Sequence, residues 1–144
     1  MAEHFEKLQR MYLSAKINTM IFDTTTIDIV EGEAKISLQI TDKYFHALNA
    51  THGSVYFKML DDAAFFAVSS IVTDFFVLTA SFNIQLTRPV NSGIITAKGK
   101  VKFQSKNLFV AEASLYDEKG REIAFGTGNF MKSKIELSKE IGYE

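Results

Sequence analysis

The chain has 144 residues, 47% of them hydrophobic, and a formal net charge of −1 at pH 7, values that suit one domain with a substantial core. The near-neutral charge argues against a nucleic-acid partner, and the absence of cysteine excludes disulfides, a thiolate nucleophile and a cysteine zinc site. Because the first residues are charged and no apolar run reaches the roughly 20 residues of a membrane helix, we expect a cytoplasmic protein with no membrane partner.

The N-terminal half is predicted to contain an amphipathic helix, a β-hairpin and a long buried helix. Apolar residues recur at helical spacing over Phe5–Ile17. The β-branched runs Thr24–Val30 and Ala34–Ile40 flank a glycine turn, which indicates a hairpin. After a loop over Thr41–Thr51, the segment Gly53–Ile71 is apolar nearly all round, so we expect a buried helix there.

Alternating patterns in the C-terminal half predict four further strands. In the first, Thr79 and every second residue after it are polar, and the apolar residues lie between them. The other strands are predicted over Ile94–Gln104, Leu108–Tyr116 and Glu122–Met131, separated by typical turn sequences. The segment Lys132–Glu144 is charged, and we expect a loosely held tail.

The predicted order of elements is a helix, two strands, a buried helix and four strands. The simplest way to bury that helix is to surround it with an antiparallel sheet, which predicts a single α+β domain over residues 1–144 with its core at about 24–132. One such sheet leaves a strand edge and part of the helix uncovered. We therefore expect a dimer or a larger assembly.

The start of the buried helix carries the most informative motif, His52-Gly53-Ser54 followed by Asp61. The backbone N–H of Gly53 lies at a helix N-terminus, where negative charge is stabilised. A carboxylate within an apolar helix is unfavourable unless it has a use, which makes Asp61 a candidate base. A donor for an oxyanion and a nearby base are what hydrolysis of an activated acyl group requires.

This order of elements, with His52-Gly53 opening the helix and Asp61 further along, resembles the hotdog-fold acyl-CoA thioesterases. The resemblance is greatest to the phenylacetyl-CoA and 4-hydroxybenzoyl-CoA thioesterase-like branch. It covers about residues 24–132, including Arg88-Pro89 and Gly126-Thr127-Gly128. It implies a hotdog fold, a homodimer or a dimer of dimers with active sites between subunits, and an acyl-CoA substrate. It also implies no metal and no cofactor, since coenzyme A is part of the substrate.

The resemblance assigns roles to three residues. Asp61 matches the acidic residue that acts as general base or nucleophile. Gly53 matches the backbone donor to the thioester carbonyl. Thr79 matches a hydroxyl position on the strand from the partner subunit, where a polar side chain places the attacking water.

The chain departs from the family pattern at two positions. The motif is usually His-Gly-Gly, and here the third residue is Ser54. The loop position that usually carries an amide is His46, with Asn49 close enough to substitute if the loop is shifted. We place His52 and Ser54 at the substrate-binding end of the helix, and expect the His52 ring to bond a neighbouring backbone group.

Basic side chains are candidates for the phosphates of coenzyme A: Lys58, Arg88, Lys102 and Lys106. Two other functions remain open. A non-catalytic acyl-CoA-binding or regulatory domain would explain the changes at His46 and Ser54. An enoyl-CoA hydratase or dehydratase would place an aspartate beside a loop histidine. Asp42 and His46 are a weak match to this arrangement.

Overall fold

Six strands form one antiparallel sheet in the computed structural model, which describes residues 1–144. The strands are β1 Thr26–Val30, β2 Glu33–Gln39, β3 Phe75–Leu86, β4 Ile94–Gln104, β5 Leu108–Tyr116 and β6 Glu122–Glu136. Their order across the sheet is β1-β2-β4-β5-β6-β3, so β1 and β3 are the two edges. The helices are α1 Ala2–Ser14, α2 Lys16–Met20 and α3 Gly53–Ser69, with short 3-10 turns at Asp42–Tyr44 and Lys139–Ile141.

Helix α3 lies against the sheet and contacts all six strands, as the apolar pattern predicts. Small residues on its inner face, among them Ala63 and Ala67, are completely buried. At the crossing with β4, a Cβ on Gly99 would lie 2.2 Å from the carbonyl oxygen of Ala63, so only glycine lets the helix approach this closely. The predicted α+β arrangement of a sheet around one helix is confirmed. None of the helices is long and apolar enough to cross a membrane.

The N-terminal helix differs from the single helix predicted over Phe5–Ile17. Ala15 adopts an extended conformation with ψ 138° and separates α1 from α2. The break frees the carbonyl of Tyr12 from ordinary helical bonding, and the side chain of Asn18 donates to it over 2.7 Å. This local side-chain hydrogen bond, which the helical periodicity cannot reveal, stabilises the break.

The C-terminal segment is ordered, so the expectation of a loosely held tail is wrong. Strand β6 continues to Glu136 because β3 begins earlier than predicted, and Phe75 pairs with Glu136. Beyond the strand, Tyr143 reaches α1, where its hydroxyl lies 2.7 Å from Nδ1 of His4. Pairing and packing partners distant in sequence hold this charged segment in place.

Strand β3 leaves one edge free in a single chain, because it pairs only with β6. Leu78 and Leu86 of this strand are about half exposed, at 50% and 49%. An apolar strand edge of this kind is unfavourable in water unless another chain covers it. This exposed apolar edge therefore supports the expectation of a dimer.

Candidate active site

Asp61 lies on the face of α3 that borders a large cavity of about 860 Å³. The cavity is bounded by α3, β3, the two N-terminal helices and the C-terminal segment. Aromatic rings dominate its lining on the α3 side, with Phe65 lying 5.5 Å from Phe76 between ring centres. The hydroxyl of Thr79 donates to Oδ1 of Asp61 over 2.8 Å. The cavity therefore holds a carboxylate with a defined orientation in largely apolar surroundings.

A β-bulge in β3 directs Thr79 towards Asp61. Thr79 pairs with Phe130 and Ser81 pairs with Asn129, so Ala80 is an extra residue between them. The bulge reverses the alternation, and both Thr79 and Phe82 face the helix although regular pleating would separate them. The resemblance placed Thr79 on the strand from the partner subunit, and here its hydroxyl bonds Asp61 of its own chain.

The surroundings of Asp61 raise its pKa to about 6. Burial is the main cause, because it disfavours the charged carboxylate. The hydrogen bond from Thr79 and the positive charge of Lys58 oppose the rise, whereas the negative charge of Asp62 adds to it. A carboxylate with this pKa is mostly ionised at pH 7 and still basic enough to accept a proton, as a general base must.

Lys58 is committed to an internal network beside Asp61. Its ammonium forms an ion pair with Asp62, one helical turn further on, and donates to Oδ1 of Asn18 over 2.8 Å. It also lies over the ring of Phe22, 4.6 Å from the ring centre. With only 12% of its side chain exposed, Lys58 cannot serve as the phosphate ligand that we predicted. It ties α2 to α3 instead.

The N-terminus of α3 presents an unpaired backbone donor. The ring of His52 caps the helix, because its Nδ1 accepts from the backbone N–H of Ser54 over 3.0 Å. The hydroxyl of Ser54 lies 2.8 Å from the same nitrogen. The N–H of Gly53 bonds to no acceptor in the chain. It is therefore available to an external oxygen atom, in the electrostatic environment of a helix N-terminus.

A cleft of about 290 Å³ opens beside Gly53. Its lining comprises His46, Thr51, Gly53, Tyr56, Leu86, Thr87, Arg88 and Pro89. Nδ1 of His46 accepts from the backbone of Leu48 over 3.1 Å, which leaves Nε2 as its free nitrogen. Asn49 occupies a left-handed turn position with φ 59° and does not line the cleft. Of the two candidates in this loop, His46 is the one placed beside the helix N-terminus.

Thr51 is a polar residue of this cleft that the sequence analysis missed. It is 4% exposed, and its hydroxyl has no hydrogen-bond partner in the chain. Nothing in the local pattern distinguishes it from an ordinary loop threonine. Its burial results from the bridge between Phe45 and Thr51, which draws the loop together.

The other basic residues predicted to bind the phosphates of coenzyme A lie apart from one another within one subunit. Arg88 is exposed at the cleft beside Gly53. Lys106 lies in the turn between β4 and β5, at the opposite end of the sheet from the start of α3. Lys102 faces Glu112 at 3.9 Å on the exposed side of the sheet. No group of three or more His, Asp or Glu side chains is arranged to hold a metal ion.

Gly53 and Asp61 cannot act on the same carbonyl within one chain. They are eight residues apart in α3, and at 1.5 Å of rise per residue the separation along the axis is about 12 Å. The oxyanion donor must lie about 3 Å from the carbonyl oxygen, and the base must lie within about 3 Å of the water that attacks the acyl carbon, which together span less than this separation. One chain thus holds the two groups too far apart to act together.

The family of this protein follows from a match over the segment that runs from the end of the loop to the start of β6. Residues 48–124, more than half of the chain, match the family model of the thioesterase superfamily. The chain belongs to the thioesterase superfamily. Both Gly53 and Asp61 of this superfamily member lie within the matched region. No curated protein sequence matches it.

Solved structures show the same fold in proteins of low sequence identity. The E. coli PaaI protein from the phenylacetic acid degradation operon is 18% identical, with a TM-score of 0.84 over 95% of this chain and 98% of that protein. A phenylacetic acid degradation-related protein of Ralstonia eutropha JMP134 is 19% identical, with a TM-score of 0.77 over 89% and 98%. A mutant of a Staphylococcus aureus thioesterase is 21% identical, with a TM-score of 0.74 over 81% and 98%. These likenesses confirm the hotdog fold of this superfamily member.

Proposed function

We propose that the protein is an acyl-CoA thioesterase whose active site is completed by two subunits. The observation that carries this proposal is the arrangement on α3. An unpaired N–H at Gly53 and an oriented, half-buried carboxylate at Asp61 lie on one helix, too far apart to act together in one chain. In this proposal the enzyme is a cytoplasmic homodimer or a dimer of dimers, as the composition and the resemblance led us to expect.

A twofold dimer solves the distance problem in a simple way. In a twofold assembly the same surface patches meet each other, so the helix N-terminus of one subunit can lie against the Asp61 cavity of the other. Two such sites form at once. The free edge of β3, which borders both the cavity at Leu78 and the cleft at Leu86, supplies a surface for this contact.

The proposed chemistry is hydrolysis with Asp61 as the general base. The N–H of Gly53 donates to the thioester oxygen, while Asp61 of the other subunit takes a proton from water as the water oxygen attacks the acyl carbon. The carbon–sulfur bond then breaks, and coenzyme A leaves as a thiolate that is protonated by solvent or by Asp61. One oxyanion donor contributes about 3 kcal/mol to such a transition state. The base contributes a further factor of about 10² to 10⁴.

The surroundings of Asp61 support an apolar acyl group. The cavity presents the rings of Phe57, Phe65 and Phe76 together with aliphatic side chains. Aromatic walls of this kind accommodate both aryl and alkyl groups, and they pair favourably with a ring. The exposed Arg88 beside the Gly53 cleft is a candidate for a phosphate of coenzyme A.

The test of this function is a hydrolysis assay that detects free thiol from aryl-acyl and straight-chain acyl-CoA thioesters. Asp61→Asn should lower kcat by about 10² to 10⁴, the scale of a lost base, with folding preserved because the shape is unchanged. Binding of acyl-CoA without turnover by the wild-type protein would contradict the proposal. It would indicate a non-catalytic acyl-CoA-binding domain instead.

Two substitutions at Gly53 test the role of its backbone N–H. Gly53→Pro removes the N–H and adds a ring that the backbone accommodates, since proline is favoured at the first position of a helix and His52 is already extended, with ψ 143°. Gly53→Ala keeps the N–H and brings a Cβ to the same neighbour, Leu86. We expect a loss of about 10² to 10³ in kcat for the proline variant. The alanine variant should remain close to wild type.

Mixing the two inactive proteins tests the shared site. A hybrid dimer of Asp61→Asn and Gly53→Pro subunits contains one intact site and one doubly altered site. Random exchange of subunits should restore about a quarter of wild-type activity. If the mixture stays inactive while subunit exchange is demonstrated, the two residues do not act across subunits.

A further inference from the structure

The hydroxyl of Thr51 is the only buried side-chain nitrogen or oxygen atom in the protein that has no hydrogen-bond partner. Another buried threonine follows the usual pattern, since the hydroxyl of Thr25 lies 2.8 Å from that of Tyr12. A buried hydroxyl without a partner is unfavourable, because it loses its bonds to water and gains none within the protein. Thr51 is therefore a candidate for a bond that forms only with a ligand.

Backbone hydrogen bonds hold Thr51 in its place in the loop. Its N–H donates to the carbonyl of Val90 over 2.9 Å, and the residue forms a β-bridge with Phe45. The N–H of the next residue, His52, donates to the carbonyl of Tyr44 over 2.8 Å. None of these bonds involves the side chain of Thr51. The hydroxyl is therefore not needed to hold the loop together.

Thr51 lines the same cleft as Gly53, whose backbone N–H bonds to no acceptor in the chain. The backbone of His52 is extended, with ψ 143°, and this conformation places residues 51 and 53 on the same side of the chain. One rotamer step about χ1 exchanges the hydroxyl of a threonine with its methyl group, so the hydroxyl can face a bound oxygen atom without movement of the backbone. The cleft thus contains a second donor beside the N–H of Gly53.

We propose that the hydroxyl of Thr51 donates to the carbonyl oxygen of the thioester together with the N–H of Gly53. This inference rests on the proposed function and adds a catalytic residue to it. A carbonyl oxygen has two lone pairs and accepts both bonds. Its negative charge grows as the water oxygen attacks the acyl carbon, so both bonds strengthen in the transition state. Because the hydroxyl is shielded from solvent, water does not compete for its bond.

Thr51→Val tests this donor with little change of shape, because a methyl group replaces the hydroxyl. The measurement is steady-state kinetics with the acyl-CoA thioester that the wild-type protein hydrolyses fastest. We expect kcat to fall by about 10², the scale of a lost oxyanion donor. KM should change little, because the lost bond is stronger in the transition state than in the bound substrate. Thr51→Ser retains the hydroxyl and should keep most of the activity.

Unfolding in urea separates a catalytic role of the hydroxyl from a structural one. Since the hydroxyl has no partner within the protein, Thr51→Val should unfold at the same urea concentration as the wild-type protein or at a higher one. The matched control is Thr25→Val, which removes a buried hydroxyl bonded to Tyr12 and should unfold at a lower concentration. Loss of both stability and activity in Thr51→Val would assign the hydroxyl a structural role and overturn the inference.

Failure of this inference differs from failure of the proposed function. If the wild-type protein hydrolyses thioesters and Thr51→Val keeps its kcat, the inference is overturned and the proposed function stands. If the wild-type protein hydrolyses no thioester, the proposed function fails, and calorimetric binding tests the donor alone.

The binding experiment compares two thioethers of coenzyme A that cannot be hydrolysed. The phenacyl thioether carries a carbonyl group, and the phenethyl thioether lacks it. We expect the wild-type protein to prefer the phenacyl compound and Thr51→Val to lower this preference by about tenfold, the effect of one hydrogen bond. The same preference in both proteins, or no binding of either compound, would overturn the inference.

Discussion

The hydroxyl of Thr79 donates to the carboxylate of Asp61. In a strand without a bulge, the side chain of Thr79 would point to the opposite face of the sheet. The bond is 2.8 Å long and joins residues 18 positions apart. The extra residue at Ala80 makes it possible. Bulges are common beside active sites because they redirect single side chains. Here the result is a hydrogen bond that favours the ionised form of a carboxylate whose burial favours the neutral form.

Replacing Thr79 should therefore change the pH dependence of activity. Thr79→Val keeps the shape and removes the hydrogen bond, which raises the pKa of Asp61 above its value of about 6. A base must be ionised to act, so the acidic limb of the kcat/KM profile should move to higher pH. Activity should fall most near pH 6 and least in alkaline solution. Thr79→Ser retains the hydroxyl and is the control, and an identical limb in the valine variant would contradict the assigned role.

Asp62→Asn should move the same limb in the opposite direction. The negative charge of Asp62 raises the pKa of Asp61, so its removal lowers that pKa and extends activity to lower pH. The variant should also lose about 3 kcal/mol of unfolding free energy, because it leaves Lys58 largely buried without its ionic partner. Urea unfolding measures the loss. Asp23→Asn breaks an exposed pair with Lys43 and should unfold like the wild-type protein.

The free nitrogen of His46 predicts a role beside Gly53. Because Nδ1 accepts a backbone bond, Nε2 carries the hydrogen and can donate to the thioester carbonyl or to water. His46→Gln should keep much of the activity, whereas His46→Ala should lower kcat by about 10², as for a lost donor. Asn49→Gly, in the same turn but outside the cleft, should have little effect. Equal activity of all three variants would leave His46 without a catalytic role.

The free edge of β3 predicts association in solution. Sedimentation equilibrium at micromolar concentration should show a dimer or a larger assembly, because the half-exposed leucines of this edge need cover. A monomer that hydrolyses acyl-CoA at that concentration would contradict both the association and the shared site.

Local patterns predict most of the fold and the position of Asp61 on the buried helix. The bounds of β4 and β5, the start of α3 and the placement of Asp61 all follow from periodicity and turn sequences. The face of Thr79, the break at Ala15 and the order of the C-terminal segment do not. Each depends on a partner distant in sequence: β6 for the bulge, Lys58 for Asn18, and His4 for Tyr143.

The close contact between Gly99 and Ala63 bears on how this scaffold can be engineered. Any side chain at position 99 would push α3 away from β4 and carry Asp61 with it. The helix and the strand beneath it are therefore a fixed frame that random libraries should leave intact. The N-terminal helices pack against that frame through the buried Leu8 and Tyr12 and bond to it at Asn18 and His4. New acyl preferences are best sought by replacing single residues of these helices that line the cavity, with the buried ones left intact.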